Sequence, residues 1–321
     1  MSIRILGTGS ALPKRRVTNE ELTGMVDTSD QWIRERTGIG SRYVSTGETV
    51  ADLGARACCL ALENAGKSAG EVELLLAATC SPEDAAPCEA CQIQAKIGAA
   101  GAVAFDLNAA CAGFLFALHT AWAYVEAGIY TNALVVGSEV LSKLVDWDDR
   151  GSCILFGDGA GAVYVEKCQE GGLMGFVQHS DGSQGEALCC RGRQLDNAFF
   201  RQTPERGYLQ MDGRRIFSFA VRQIPTTISE ALGKAGLEAE DVDLFLLHQA
   251  NRRILEGIAG RLDADLGRFP MNLDQVGNTS SASIPLLLDG LNRQGRLHRG
   301  MILVLSGFGA GLTCGAGIWK W

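Results

Sequence analysis

Glu71-Val-Glu-Leu-Leu-Leu76 returns later in the chain as Asp241-Val-Asp-Leu-Phe-Leu-Leu247. Each is a short apolar run behind an acidic start, followed by a polar loop and then a helix-period segment. A run of this length, bounded in this way, reads as a buried strand. Two more segments repeat in the same order. Ala133-Leu-Val-Val-Gly137 resembles Met301-Ile-Leu-Val-Leu-Ser-Gly307, and Gly159-Ala-Gly-Ala-Val-Tyr-Val165 resembles Gly315-Ala-Gly-Ile-Trp-Lys-Trp321. Three matches in one order predict an internal duplication. The halves meet near Lys167–Gly172, giving an N-terminal half over 1–168 and a C-terminal half over 169–321.

Outward from these repeats, strands are expected at Ile3–Leu6, Val72–Ala78, Val103–Leu107, Ala133–Gly137 and Ala162–Glu166. Helices are expected to begin at the capping-box pairs Thr18 with Glu21 and Thr49 with Asp52. The second of these runs to Gly66, with Val50, Leu53, Ala57, Leu60 and Ala61 on one face. Strands alternating with helices make the chain an α/β protein.

With 46% hydrophobic and 21% charged residues, 321 residues can bury a substantial core. Forty glycines imply close backbone packing, and seven prolines without low-complexity tracts argue against disorder. A net charge of −8 opposes general nucleic-acid binding. Eleven scattered cysteines, and no basic start followed by an apolar stretch, fit a cytosolic location. Cys88 and Cys91 form a single C-x-x-C without a second ligand pair, so no metal is expected. Cys58–Cys59 and Cys189–Cys190 read as small buried hydrophobes. The apolar stretch Ala109–Val125 is short for a membrane span and interrupted by His119 and Thr120, so it reads as a core helix with a hydrogen-bonded histidine.

Four segments could carry chemistry. In Asp106-Leu-Asn-Ala-Ala-Cys111-Ala-Gly-Phe114 a strand ends and the apolar helix begins at about Cys111. A thiol at a helix N-terminus is favoured as thiolate by the macrodipole, or else Cys111 is a plain core cysteine. His248, in Leu246-Leu-His-Gln-Ala-Asn251, stands at a strand's C-terminal end, where open α/β sheets place their sites. Asn278, in Gly277-Asn-Thr-Ser-Ser-Ala-Ser283, is a donor or a simple cap before the helix Ile284–Leu291. Ser306-Gly-Phe-Gly-Ala-Gly311 is a glycine-rich turn that either offers backbone N–H groups or merely bends.

Together these segments resemble the 3-oxoacyl-acyl-carrier-protein synthase III family. The similarity runs from Ile5-Leu-Gly-Thr-Gly-Ser10 to the last strand. It includes Thr28-Ser-Asp-Gln-Trp-Ile33, Arg36-Thr-Gly-Ile39, Ala90-Cys-Gln-Ile-Gln94, Asn108-Ala-Ala-Cys-Ala-Gly-Phe114 and Asp149-Arg-Gly151. Phe156-Gly-Asp-Gly-Ala-Gly161, His248-Gln-Ala-Asn251, Gly277-Asn-Thr-Ser-Ser281 and Gly307-Phe-Gly-Ala-Gly311 complete it.

The resemblance implies a thiolase fold, two duplicated halves whose mixed sheets sandwich buried helices, and a homodimer. It implies that Cys111 takes an acyl group from acyl-CoA, acetyl or longer and branched, with no permanently bound cofactor. His248 and Asn278 then drive decarboxylative condensation with malonyl-acyl carrier protein. The backbone N–H groups of Cys111 and Ala310 would form the oxyanion hole. Trp32, Arg36 and Arg150 would hold the CoA adenine, and Asn251 would line the pantetheine tunnel. Phe308 would shape the acyl pocket, with Ala86 reaching into that of the partner subunit, and Arg214, Arg215, Arg253 and Arg261 would steer the acidic carrier protein. Two positions depart from the family. Ala86 stands before Pro87 where a bulky aromatic is usual, which opens starter specificity, and Arg214 replaces a neutral side chain. The alternatives are a secondary-metabolism acyltransferase sharing the triad, and a non-catalytic acyl-CoA-binding subunit.

Overall fold

All five strands expected in the first half form, most of them with longer ends: Ser2–Ala11, Leu74–Ala78, Val103–Leu107, Asn132–Glu139 and Gly159–Cys168. The computed structural model describes residues 2–201, 203 and 207–321. These strands make one mixed sheet in the order Ser2–Ala11, Gly159–Cys168, Asn132–Glu139, Leu74–Ala78, Val103–Leu107. A second sheet orders Leu244–Leu247, Ile302–Gly309, Thr313–Lys320 and Gly172–Ser180. In each sheet a parallel pair (Leu74–Ala78 with Asn132–Glu139, Leu244–Leu247 with Ile302–Gly309) is followed by two antiparallel neighbours. The duplication read from three short matches therefore extends to the pairing of every strand in the second sheet. The strand Val103–Leu107 has no counterpart there and lies at the edge, with Val103 48% exposed.

Local signals act as expected where they are strong. Thr49 caps the helix Val50–Ala65 in a reciprocal box with Asp52, and Gly66 closes it at φ +66°. Gly236 closes Gly213–Ala235 in the same left-handed conformation, φ +69°. These two helices cover the outer faces of the two sheets. The helices Gly113–Glu126 and Ser283–Arg293 lie between the sheets and touch both. That position explains why Phe114, Leu115, Ala117, Leu118, Ala121 and Val125 are all buried, leaving no polar stripe. The result is five layers, α-β-α-β-α. At Gly9 the strand Ser2–Ala11 approaches the helix Val50–Ala65 so closely that a Cβ would collide with the Ala57 carbonyl and the Ala61 amide.

Three expectations need correcting. Cys59 and Cys190 are exposed and Cys189 half-buried, so only Cys58 of those four is a core thiol. His119 is buried, 2% exposed, yet neither ring nitrogen has a hydrogen-bond partner among the described residues. It stacks on Phe176 instead, with ring centroids 4.4 Å apart. Burial pushes His119 down to about 3, so it stays neutral in the folded chain. The unfolded chain takes that proton below its ordinary value near 6.5, so stability contributed by neutral His119 is lost as pH falls from about 6.5 towards 3. Glu89, whose carboxyl is raised by burial, works in the opposite sense, so the useful readout is a difference. Between pH 7 and 5 the melting temperature of His119→Leu should fall less steeply than that of the parent; parallel slopes would refute the linkage.

The third correction concerns the helix start. Cys111 lies in a single 3-10 turn, Ala110–Ala112, and the α-helix begins only at Gly113. The turn is forced by Ala110 at φ +48°, a conformation that costs a non-glycine residue about 1–2 kcal/mol.

Candidate active site

The elbow at Ala110 is stabilised by Asn108, whose Oδ1 accepts from the Ala110 N–H at 3.0 Å. The second half repeats it. Ser280 has φ +50°, and Asn278 Oδ1 accepts from the Ser280 N–H at 2.9 Å. Two elbows of the same construction thus face each other between the sheets, Cys111 on one and Ser281 on the other. Because the Asn278 oxygen is held by Ser280, its amide Nδ2 is left as a donor for the cavity that Asn278 lines.

Two cavities meet at Cys111. One, about 110 Å³, is lined by Cys111, His248, Asn278, Asn251, Phe217 and Phe308 among others. The other, about 170 Å³, is lined by Cys111, Cys80, Leu141, Leu144, Cys189 and Ala310 among others. Phe156 and Leu188 belong to both walls. A group bonded to the Cys111 sulfur can therefore extend one way while a second molecule arrives from the other.

His248 caps the end of Leu244–Leu247, its backbone N–H bonded to the Ser306 carbonyl at 2.9 Å. Its ring packs edge-on to Phe308, centroids 5.4 Å apart. It is 1% exposed, Nδ1 has no partner among the described residues, and burial pushes it down to about 3. A neutral imidazole is the result, able to donate one N–H. Cys111 is 8% exposed, and burial pushes its thiol up to about 12; the hydrogen bond from Ser280 opposes this and the charge of Glu139 adds to it. The expectation that the helix end favours thiolate is overturned, because desolvation outweighs the dipole at this buried turn. Gly309 supplies what the sequence did not reveal. A Cβ there would stand 2.5 Å from the Cys111 amide nitrogen, so glycine is what lets this strand end pack directly on the elbow.

Residues 105–182 match the family 3-oxoacyl-[acyl-carrier-protein] synthase III, and residues 232–321 match its C-terminal part. The chain is 45% identical to beta-ketoacyl-[acyl-carrier-protein] synthase III of Clostridium acetobutylicum, covering 100% of this chain and 99% of that protein. It belongs to the 3-oxoacyl-[acyl-carrier-protein] synthase III family. Solved members agree in fold. The Aquifex aeolicus VF5 synthase III superposes with TM-score 0.93 at 39% identity over 99% of this chain and 100% of that one. The Pseudomonas aeruginosa PAO1 synthase III gives TM-score 0.94 at 38% identity over 100% and 98%.

Against the residues expected for a synthase III, the structure brings most together and separates some. Cys111, His248 and Asn278 share one cavity. Trp32 has the Arg150 guanidinium 4.8 Å and the Arg36 guanidinium 5.9 Å from its ring. Asn251 connects this cluster to the cavity, since its Nδ2 donates to the Arg36 carbonyl at 3.1 Å. Arg253 stands 5.9 Å over Phe217 at that cavity's wall, and Arg214 and Arg215 follow Gly213, which also lines it. Arg261 sits away from them, at the far end of the helix Arg252–Arg261. Ala310 lines the second cavity and Phe308 the first. Ala86 is exposed and lines neither, so within one chain the second cavity is shaped by residues that sequence reading missed, among them Cys80 and Leu141. No group of three or more His, Cys, Asp or Glu among the described residues is arranged to hold a metal.

Proposed function

We propose that this chain is an initiating condensing enzyme that acylates Cys111 from acyl-CoA and condenses the acyl group with malonyl-acyl carrier protein. The observation that carries this reading is the meeting of two cavities at Cys111, one of them also lined by His248 and Asn278. In the first half-reaction the sulfur attacks the thioester carbonyl, and CoA departs as the thiol with the proton. The acyl chain then occupies the cavity of Cys80 and Leu141. In the second, malonyl thioester loses carbon dioxide, and the electron pair becomes an enolate. The N–H groups of neutral His248 and of Asn278 hold its oxygen. The enolate carbon attacks the acyl carbonyl, the carbon–sulfur bond breaks, and Cys111 regains a proton from solvent as the 3-oxoacyl product leaves. The Cys111 and Ala310 amides are assigned to the tetrahedral oxyanion, an assignment supported by the place of both residues on the wall of the second cavity.

The stack of Trp32 with Arg150 and Arg36 suits a flat adenine, which would slide between aromatic and guanidinium planes. The arginines around Phe217 are assigned to carrier-protein docking, with Arg261 a more distant contributor. A homodimer is supported by the edge strand Val103–Leu107, which has a strand neighbour on one side only among the described residues and could pair with a second copy on the other, with Ala86 in the exposed loop that precedes the neighbouring helix Glu89–Ile97. No helix among the described residues is long and apolar enough to cross a membrane, and we place the enzyme in the cytoplasm with halves 1–168 and 169–321.

Incubation with a panel of acyl-CoAs, read by intact mass, tests the reading. One acyl adduct is expected on the parent and none on Cys111→Ala, and the preferred chain reports the starter. Absence of any adduct on the parent would defeat it.

A further inference from the structure

The two elbows differ in what stands against them. Gly309 ends its strand beside Cys111, and Glu139 ends the matching strand beside Ser280 and Ser281. Where the first elbow packs directly on the bare backbone of Gly309, the second meets a carboxylate that is completely buried. Its oxygens accept from Thr79 Oγ1 at 3.1 Å, the Cys80 amide at 3.1 Å and Ser81 Oγ at 2.6 Å. They also accept from Ser280 Oγ at 3.1 Å, Ser281 Oγ at 2.7 Å and the Cys80 thiol at 3.4 Å. These donors are hydroxyls, an amide and a thiol, all neutral. A charge-assisted hydrogen bond is roughly twice as strong as a neutral one, so this centre is a firm anchor. It spans both halves of the chain: the loop 79–81 from one, the turn 278–281 from the other.

The turn it grips is the one that presents Asn278. Ser280 is bonded to Asn278 through its N–H and to Glu139 through its hydroxyl. Resting on the acyl-transfer reading above, we propose that Glu139 is a positioning residue for the condensation step, holding the Asn278 turn against the nucleophile's cavity. The buried charge has a cost to the nucleophile. Titratable groups around the Cys111 sulfur are His248 from the end of Leu244–Leu247, Cys80 from the loop after Leu74–Ala78, Cys189 and Cys190 from the short strand Leu188–Cys190, and Glu139, the acid among them. Its charge disfavours the thiolate. Glu139 thus adds to the burial that raises the Cys111 thiol while it aligns the donor needed later.

Glu139→Gln separates these effects. Acyl adduct formation should persist, whereas product formation from malonyl-acyl carrier protein should fall by about a hundredfold, the scale of an angstrom-size misplacement. The pH profile of Cys111 alkylation by iodoacetamide, read by peptide mass, should move to lower pH. A merely loosened site would raise the rate uniformly without moving the profile. Glu139→Asp, which keeps the charge, should restore the parent profile. If Glu139→Gln fails to fold, Ser281→Ala keeps the carboxylate and cuts one tether; condensation should drop with the alkylation profile unmoved. Full condensation in Glu139→Gln or in Ser281→Ala, or an unmoved profile in Glu139→Gln, overturns the proposal. Alkylation needs no acyl-CoA, so these results stand apart from the parent's adduct assay, whose failure would sink the acyl-transfer reading instead.

Discussion

His248→Ala should still acquire an acyl group on Cys111 yet lose condensation by about a hundred- to a thousandfold. The reason is the separation of roles at one sulfur. Acylation needs the thiol, an open oxyanion site and a proton for the leaving CoA, and the imidazole holds none of these atoms in the reading above. Decarboxylation places a full negative charge on a thioester oxygen in a site closed to water, and removing one aimed donor from such a charge costs about 3–4 kcal/mol. Burial keeps His248 neutral down to about 3, so the same donor is present across the whole working pH range. The condensation rate should accordingly show no limb near pH 6.5, where an ordinary histidine titrates. Single-turnover assays measure both steps: intact mass for the adduct, product release from malonyl-acyl carrier protein for the second. Equal losses in the two steps would show that His248 serves acylation too, and the assignment of donors would have to be redrawn.

Gly309→Ala is expected to damage both half-reactions, by about a hundredfold or more each. Each half-reaction passes through a tetrahedral oxyanion on the acyl carbon, and both use the Cys111 amide. A methyl group 2.5 Å from that nitrogen, and 3.2 Å from the Ala110 Cβ and the Ala112 amide, must displace the elbow or cover the N–H. Either outcome removes a donor from the transition state while the thiol, His248 and Asn278 keep their chemistry. The variant should therefore remain alkylatable at Cys111 by iodoacetamide while turning over slowly. The contrast with His248→Ala is the informative part, since one substitution divides the steps and the other does not. Retained acylation in Gly309→Ala would move the oxyanion site elsewhere.

Much of this was legible in the chain, for physical reasons that also mark where reading stops. Strands announced themselves because buried parallel runs such as Leu74–Ala78 have no polar alternation, and Val50–Ala65 because its cap and its glycine stop are local. Cys111 and His248 stood out by their places after the ends of strands, and Asn278 by its place in a small-residue segment ahead of a helix. The helix start did not, because Ala110 takes a left-handed conformation with no glycine to signal it. Thiolate preference at Cys111 was misjudged because burial is a tertiary quantity, absent from any local pattern. Gly309 was hidden among forty glycines, since its meaning depends on a neighbour nearly two hundred residues away. Glu139 had a signal that went unused: an acid closing the apolar run Ala133-Leu-Val-Val-Gly137-Ser, a place where a charge must find partners.

The paired elbows have a consequence for how such a centre can arise and how it can be lost. Copying a half-domain supplies two identical bends, and identical bends would make two competing reactive thiols or none. Here Cys111 stands on an elbow packed against the bare backbone of Gly309, and Ser281 on one tied to the carboxylate of Glu139. The two copies have therefore divided the work: one bend carries the thiol, and the other, tied to Glu139, holds the turn of Asn278. A drift of sequence at the serine elbow is felt at the sulfur even though Ser281 makes no covalent bond to the acyl group.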